Sequence, residues 1–439
     1  MNDSANSDRA PRLTIGVPRA LDYFIHYPLV RELLSGLGFG IKESTPTNRA
    51  VLDAGTTYTV TDACIPVKVF HGHVHSLLGR CDAIYLPRLV KVRRLKHQGR
   101  SYRESFCPKF IGLPDIVRNT MGLETVEQLG PGARARRLIG RRLRLAQPPL
   151  PEGVRELPIV RRGQPDARLP SDSPVLIDIN VDLTRRFATL YRVANQLRRL
   201  KYFSYLHLYR VYRRALRFQR RYERLLGFGL SPDEALRVLD KSKGVKPLVL
   251  PPSPPVGGRG VLAVVGYPYL LFDPYLGAGV VKRFAERGYD VWTPWRLWRD
   301  KRCLALGALH EERPFFWYFS NIVADAALYL LHYGATREQA AGERLSRRGF
   351  LGHLLAKGRR KRMGAPTVGV VHVTSATCGP DAFVGKTLEM EAKKAGVPLL
   401  ILQVDEQSGE AGVLTRIEAF CDMLERRGSS TTGAGVGLD

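Results

Sequence analysis

Apolar residues in this chain fall into two kinds of run, and the alternation between them predicts the fold. Short continuous runs predict strands: L-T-I-G-V-P (Leu13 to Pro18), C-D-A-I-Y-L-P (Cys81 to Pro87), V-L-A-V-V-G-Y-P (Val261 to Pro268), T-V-G-V-V-H-V-T (Thr367 to Thr374) and V-P-L-L-I-L-Q-V-D (Val397 to Asp405). Between them apolar positions recur at helical spacing. Leu21, Phe24, Leu29, Leu33 and Leu37 follow the first run, and Leu208, Tyr212, Ala215, Phe218, Tyr222 and Leu225 mark one face of a helix with arginines between them. The aromatic-rich stretch from Phe315 to Leu331 predicts a buried helix. Strands separated by helices argue for parallel sheets covered by helices, so the fold class is α/β, with two doubly wound (Rossmann/flavodoxin-like) domains joined by a basic helical segment.

Breaks in the pattern set the boundaries. The N-terminal α/β domain spans 12–130, a Pro- and Arg-rich linker or insertion 131–174, the helical segment 175–249 and a hinge 250–260. The C-terminal α/β domain then runs 261–427, and the ends, 1–11 and 428–439, read as disordered. Both α/β units end their first strand with Gly-x-Pro, in I-G-V-P-R-A-L-D-Y and V-G-Y-P-Y-L-L-F-D-P-Y, a hint of a duplicated fold.

Composition changes this picture in three ways. With 439 residues, 44% hydrophobic and 25% charged, the chain can fill two ordinary cores. No stretch approaches the ~20 continuous apolar residues of a membrane span, and the N-terminus lacks the apolar segment of a secretory signal; the expected location is the cytoplasm. A net charge of +27, concentrated in arginine-rich stretches such as Arg210 to Tyr222, suits an anionic partner. Nucleic acid is the least favoured, because basic stripes alone are weak evidence.

Six cysteines are too few for a disulfide scaffold, and three of them share a local grammar. Cys64 sits in D-A-C-I-P-V-K, Cys107 in F-C-P-K-F and Cys378 in T-C-G-P-D, each with a proline one or two residues on. That predicts a cysteine in the turn before a helix, where free N–H groups and the dipole favour thiolate. Cys81, Cys303 and Cys421 lack this context and read as small buried hydrophobes. No C-x-x-C pair argues for a closed zinc site. His71 and His73, in K-V-F-H-G-H-V-H, fall on the helix expected after Cys64 and are candidate site residues. Spacing alone leaves a three-thiolate cluster and three unrelated buried cysteines equally open.

At these cysteines the sequence resembles a known family. I-G-V-P-R-A-L, D-A-C-I-P-V-K-V-F-H-G-H-V, C-P-K-F-I-G-L-P-D, Y-L-L-F-D-P-Y, T-C-G-P-D-A-F-V and D-E-Q-S-G-E-A-G-V-L-T-R-I-E-A-F occur in order and are similar to blocks of the 2-hydroxyacyl-CoA dehydratase superfamily. The closer likeness is to its acyl-CoA dehydratase activase-related branch. The resemblance implies an oxygen-sensitive 4Fe-4S cluster held by Cys64, Cys107 and Cys378 with one open iron, and low-potential one-electron chemistry on an acyl-CoA or similar small substrate. It further implies a separate ATP-dependent activator or other low-potential electron donor, and a homodimer or related second subunit. No Walker-type phosphate loop occurs, so no ATP site is expected in this chain.

Two matters stay open on the sequence. Asp405, Glu406, Glu410, Arg416 and Glu418 in the last motif either act on substrate protons or cap and stitch the final helix. The chain as a whole is either such a catalytic component or a non-catalytic electron-transfer or maturation protein that docks an acidic partner through its basic helices.

Overall fold

A computed structural model describes residues 13–97, 100–126, 174–241, 258–298, 315–333 and 367–432. All but the last residue of the expected linker at 131–174, most of the hinge, the first residues and Cys303 lie outside them. The α/β class and the parallel sheets are as the apolar runs predict. In the N-terminal domain, β1 (Thr14–Val17) pairs in parallel with β2 (Gly40–Glu43) on one side and with β3 (Ala83–His97) on the other. The helices between them are α1 (Tyr23–Gly36), α2 (Arg49–Thr57) and α3 (Ile65–Leu77).

β3 is longer than its apolar run. Its first half pairs in parallel with β5 (Val175–Asp182), while its second half pairs antiparallel with β4 (Arg100–Ser105). The register shifts where the partner changes, leaving Val90 and Val92 without a cross-strand mate. The expected helical segment therefore opens with a strand that completes the first sheet. α4 (Pro108–Met121) leads back toward β5, and α5 (Arg186–Arg198), α6 (Tyr205–Gly227) and α7 (Pro232–Lys241) follow it. α6 buries Leu208, Ala215, Phe218, Tyr222 and Leu225 of the stripe its spacing predicts, with Val211 in place of Tyr212, which is only half-buried.

The C-terminal sheet is parallel throughout, in the order β7 (Asp290–Trp292), β6 (Val261–Gly266), β8 (Thr367–Ser375), β9 (Leu399–Val404). Its longer helices are α8 (Val280–Glu286), α9 (Tyr318–Tyr333), α10 (Gly379–Ala395) and α11 (Glu410–Thr432), the last running past the expected start of the tail. Apart from the antiparallel arm, both sheets follow one plan: the second strand flanks the first on the outside and the third follows on the inside.

Two close approaches fix the helix pair that carries the first candidate cysteine. A Cβ on Gly55 would stand 1.9 Å from the Lys68 carbonyl oxygen, and one on Gly72 would stand 1.8 Å from that of Val51. Only hydrogen fits, so α2 and α3 pack backbone to backbone.

The β3–β4 arm ties the domains together. The Ser105 N–H donates to Phe316 O at 3.0 Å. Arg93 donates to both oxygens of buried Glu104 at 2.5 and 2.8 Å, and Asn321 of α9 donates to the same carboxylate at 2.7 Å. Asp325, one turn along α9, is buried beside this network, and burial raises its pKa from 3.8 to about 8.

Candidate functional site

All three singled-out cysteines are helix N-caps. Cys64 precedes α3, Cys107 precedes α4 and Cys378 precedes α10, each in extended backbone with proline in the first helical turn. Proline is accommodated there because the N–H it lacks would have no intrahelical partner. All three helices run back from the carboxyl ends of the parallel strands, the edge where α/β folds bind ligands. Cys378 also follows a strained residue, Thr377, at φ 59°.

The thiols sense one another. Burial raises the Cys107 pKa, and nearby Cys64 raises it further. Burial likewise pushes Cys378 far up, followed by Asp381 and then by Cys64 and Cys107. Cys64 is raised by burial and drawn down by Lys109 and Lys68. The backbone N–H groups of Val67, Phe110 and Asp381, each three residues beyond its cysteine, also draw the thiols down, although no formal cap hydrogen bond forms. Thiols this close, Cys64 buried and Cys107 and Cys378 half-buried, cannot all ionise without a compensating cation.

Lys109 joins the three segments. Two residues past Cys107, its ammonium donates to Asp62 O at 3.3 Å, beside Cys64, and to Thr377 O at 3.4 Å, beside Cys378. Lys68, one turn past Cys64 and buried, donates to Glu406 at 2.7 Å, and this bond holds the Glu406 carboxyl below its ordinary range. Aromatic rings wall the region: Phe110 lies 5.3 Å from Phe106 and 6.0 Å from Tyr269, and Phe319 lies 5.2 Å from Phe106 and 5.8 Å from Tyr267. Beneath Cys378, fully buried His372 and Asp381 meet at 3.1 Å, and His372 Nδ1 and Asp381 Oδ2 have no partner among the described residues.

The other candidates divide. His71 is buried, its Nδ1–H donates to Val67 O at 2.9 Å, and its Nε2 has no partner among the described residues. His73 lies between Ser44 Oγ at 2.9 Å and Thr47 Oγ1 at 3.0 Å, and burial lowers its pKa to about 3. Thr47 passes the chain on to Asp273 of the C-terminal domain. His73 thus serves a neutral polar link between domains. Glu410 and Glu418 are exposed and pair with Arg283 of α8 and with Arg287, the residue that caps its end, and Arg416 is exposed, an arrangement that stitches helices. Asp405 caps the following turn by accepting from Gln407 N and Ser408 Oγ at 3.0 and 2.8 Å. Of that motif Glu406 reaches the cysteine-bearing helix.

Among the described residues no group of three or more His, Cys, Asp or Glu side chains could hold a single metal ion. Cys81, with Sγ 3.4 Å from Leu77 O, and Cys421 are buried in the core, as their contexts predict.

Residues 14–141 match the family described as the CoA enzyme activase uncharacterised domain. The N-terminal domain is thus CoA-enzyme-activase-like, and the matched segment contains Cys64 and Cys107 but not Cys378. No curated protein matches the chain. Among the described residues no helix is long and apolar enough to cross a membrane.

Proposed function

We propose that this chain is the iron-sulfur, electron-handling component of a system acting on CoA thioesters, with Cys64, Cys107 and Cys378 as ligands of a 4Fe-4S cluster whose fourth iron is open. The observation that carries the reading is the set of three helix-capping thiols, drawn from both domains and brought together where Lys109, beside Cys107, bonds Asp62 O beside Cys64 and Thr377 O beside Cys378. Ligands of a cluster stand wider apart than those of one ion, because the inorganic core fills the space between them. Bound there, the cluster would supply a low-potential electron and a Lewis-acidic iron.

The chain's own residues prepare the site. Three helix N-termini offer N–H groups to anionic sulfur, Lys109 and Lys68 add positive charge, and the aromatic wall keeps water away. The activase-like N-terminal domain supports a place in an acyl-CoA dehydratase system. The proposed partners are a separate ATP-dependent activator or other low-potential donor, an acyl-CoA or similar small substrate, and a related subunit or second copy, all in the cytoplasm.

Anaerobic purification with iron and sulfide analysis, and EPR of the reduced protein, tests the assignment. Cys64→Ser, Cys107→Ser and Cys378→Ser should each lose most of the iron and change the EPR signal. Cys81→Ser and Cys421→Ser should retain both. A wild-type protein free of iron under those conditions overturns the proposal.

A further inference from the structure

Between Leu183 and Gly227 the chain has twelve arginines and one lysine against one acidic residue, Glu223. That glutamate is buried, so the outer surface of α5 and α6 carries one sign of charge only. The arginines on α6 are ordered. Arg210, Arg213, Arg217, Arg220 and Arg224 are exposed and alternate three- and four-residue steps, the same rhythm as the buried stripe on the opposite side. They form a ridge about 21 Å long at 1.5 Å per residue. Among the described residues no carboxylate pairs with any of the five.

An ordinary solvated helix mixes both signs and pairs them at these spacings; like charges there weaken the helix. The ridge is therefore an arrangement that a partner's negative charge would relieve. Apolar anchors lie on the same two helices, with Leu206 59% exposed in the first turn of α6 and Phe187 78% exposed in the first turn of α5. Arginine beside exposed aromatic and aliphatic side chains is the composition of a protein-binding hot spot.

The ring geometry favours protein over a nucleic acid strand. Stacking of successive bases needs a row of free ring faces, but Tyr191 and Tyr205 each give a face to the other, 6.1 Å apart and 14° from parallel. Arg198 covers Tyr205 at 4.5 Å and lies 5.3 Å from the ring of Tyr202. We infer that the α5–α6 face docks a protein partner through an acidic helix, whose carboxylates at three- and four-residue spacing meet the arginine ridge while apolar side chains cover Phe187 and Leu206. This docking site is separate from the cysteines and does not depend on iron.

The test measures binding to the full chain by fluorescence anisotropy across a salt series. Three probes are compared: a helical peptide with glutamates at that spacing and leucines between them, a single-stranded oligonucleotide of equal charge, and phosphatidylserine vesicles. The peptide should bind tightest, and Arg213→Glu with Arg217→Glu should weaken it by about tenfold or more while circular dichroism stays unchanged. The same double variant should regain binding to a peptide whose glutamates are replaced by lysines. Phe187→Ser with Leu206→Ser should weaken the peptide without changing its salt dependence. Absent peptide binding, indifference to both double variants, or tighter binding of the oligonucleotide or vesicles would each overturn the inference.

Discussion

Asp325 shows how one buried carboxyl can tune the whole chain. Its ordinary pKa of 3.8 becomes about 8 in the fold because burial disfavours the anion, with Arg93 drawing it down and Glu104 raising it. Between those values the folded chain holds a proton that the unfolded chain has released. Stability therefore falls as pH rises through that window. Asp325→Asn keeps the shape and removes the titration, so its urea midpoint should vary less than the wild type's between pH 4 and pH 8. Parallel curves for the two proteins would show that Asp325 ionises normally. The cysteines were legible at this scale because N-capping leaves a mark in sequence, a proline just downstream. The His372–Asp381 pair was not, since its partners are brought together only by the packing of α10 on β8.

At the scale of elements, the α2–α3 contact is the most demanding. Gly55→Ala or Gly72→Ala would push a methyl into a backbone carbonyl and separate the helices, so each should destabilise the protein by about 2 kcal/mol or more in urea denaturation. Alanine normally favours a helix over glycine, and a stabilising outcome would refute the backbone contact. Strands buried on both faces were readable as apolar runs, as were the faces of α6. β4, R-S-Y-R-E-S, is polar and belongs to an arm off the sheet, so no apolar period announced it. β5 does alternate, in V-L-I-D-I-N-V-D, but it follows a Pro- and Arg-rich stretch and no Pro or Gly separates it from the helical pattern after it, so the sequence does not set it apart. β7 has only three residues, too few for a period to register.

For the whole molecule, the candidate ligands belong to both domains, and so do the polar ties: Thr47 to Asp273, Lys68 to Glu406 and Asn321 to Glu104. A cluster bound by all three cysteines would add a further tie and would stabilise only the assembled chain. Anaerobic calorimetry should show a higher Tm for the iron-loaded protein than for iron-free protein, with the domains melting in one transition. Equal melting temperatures would argue against shared ligation. The division into two domains was legible from the apolar runs, while the arm that joins them was not, because its ion pairs and backbone links join segments far apart in the chain.

The unmatched Val90 and Val92 give β3 a role beyond pairing. Side chains on a strand alternate with a period of two, so each extra residue reverses the phase of all that follow. One strand can therefore serve two partners of opposite direction, each with its own parity. Deleting either valine would leave the sheet beneath it in step and turn the far end of the arm over, carrying Arg93 to the wrong side of the ribbon. The bulges are phase shifters, and the second domain is docked to the parity they set.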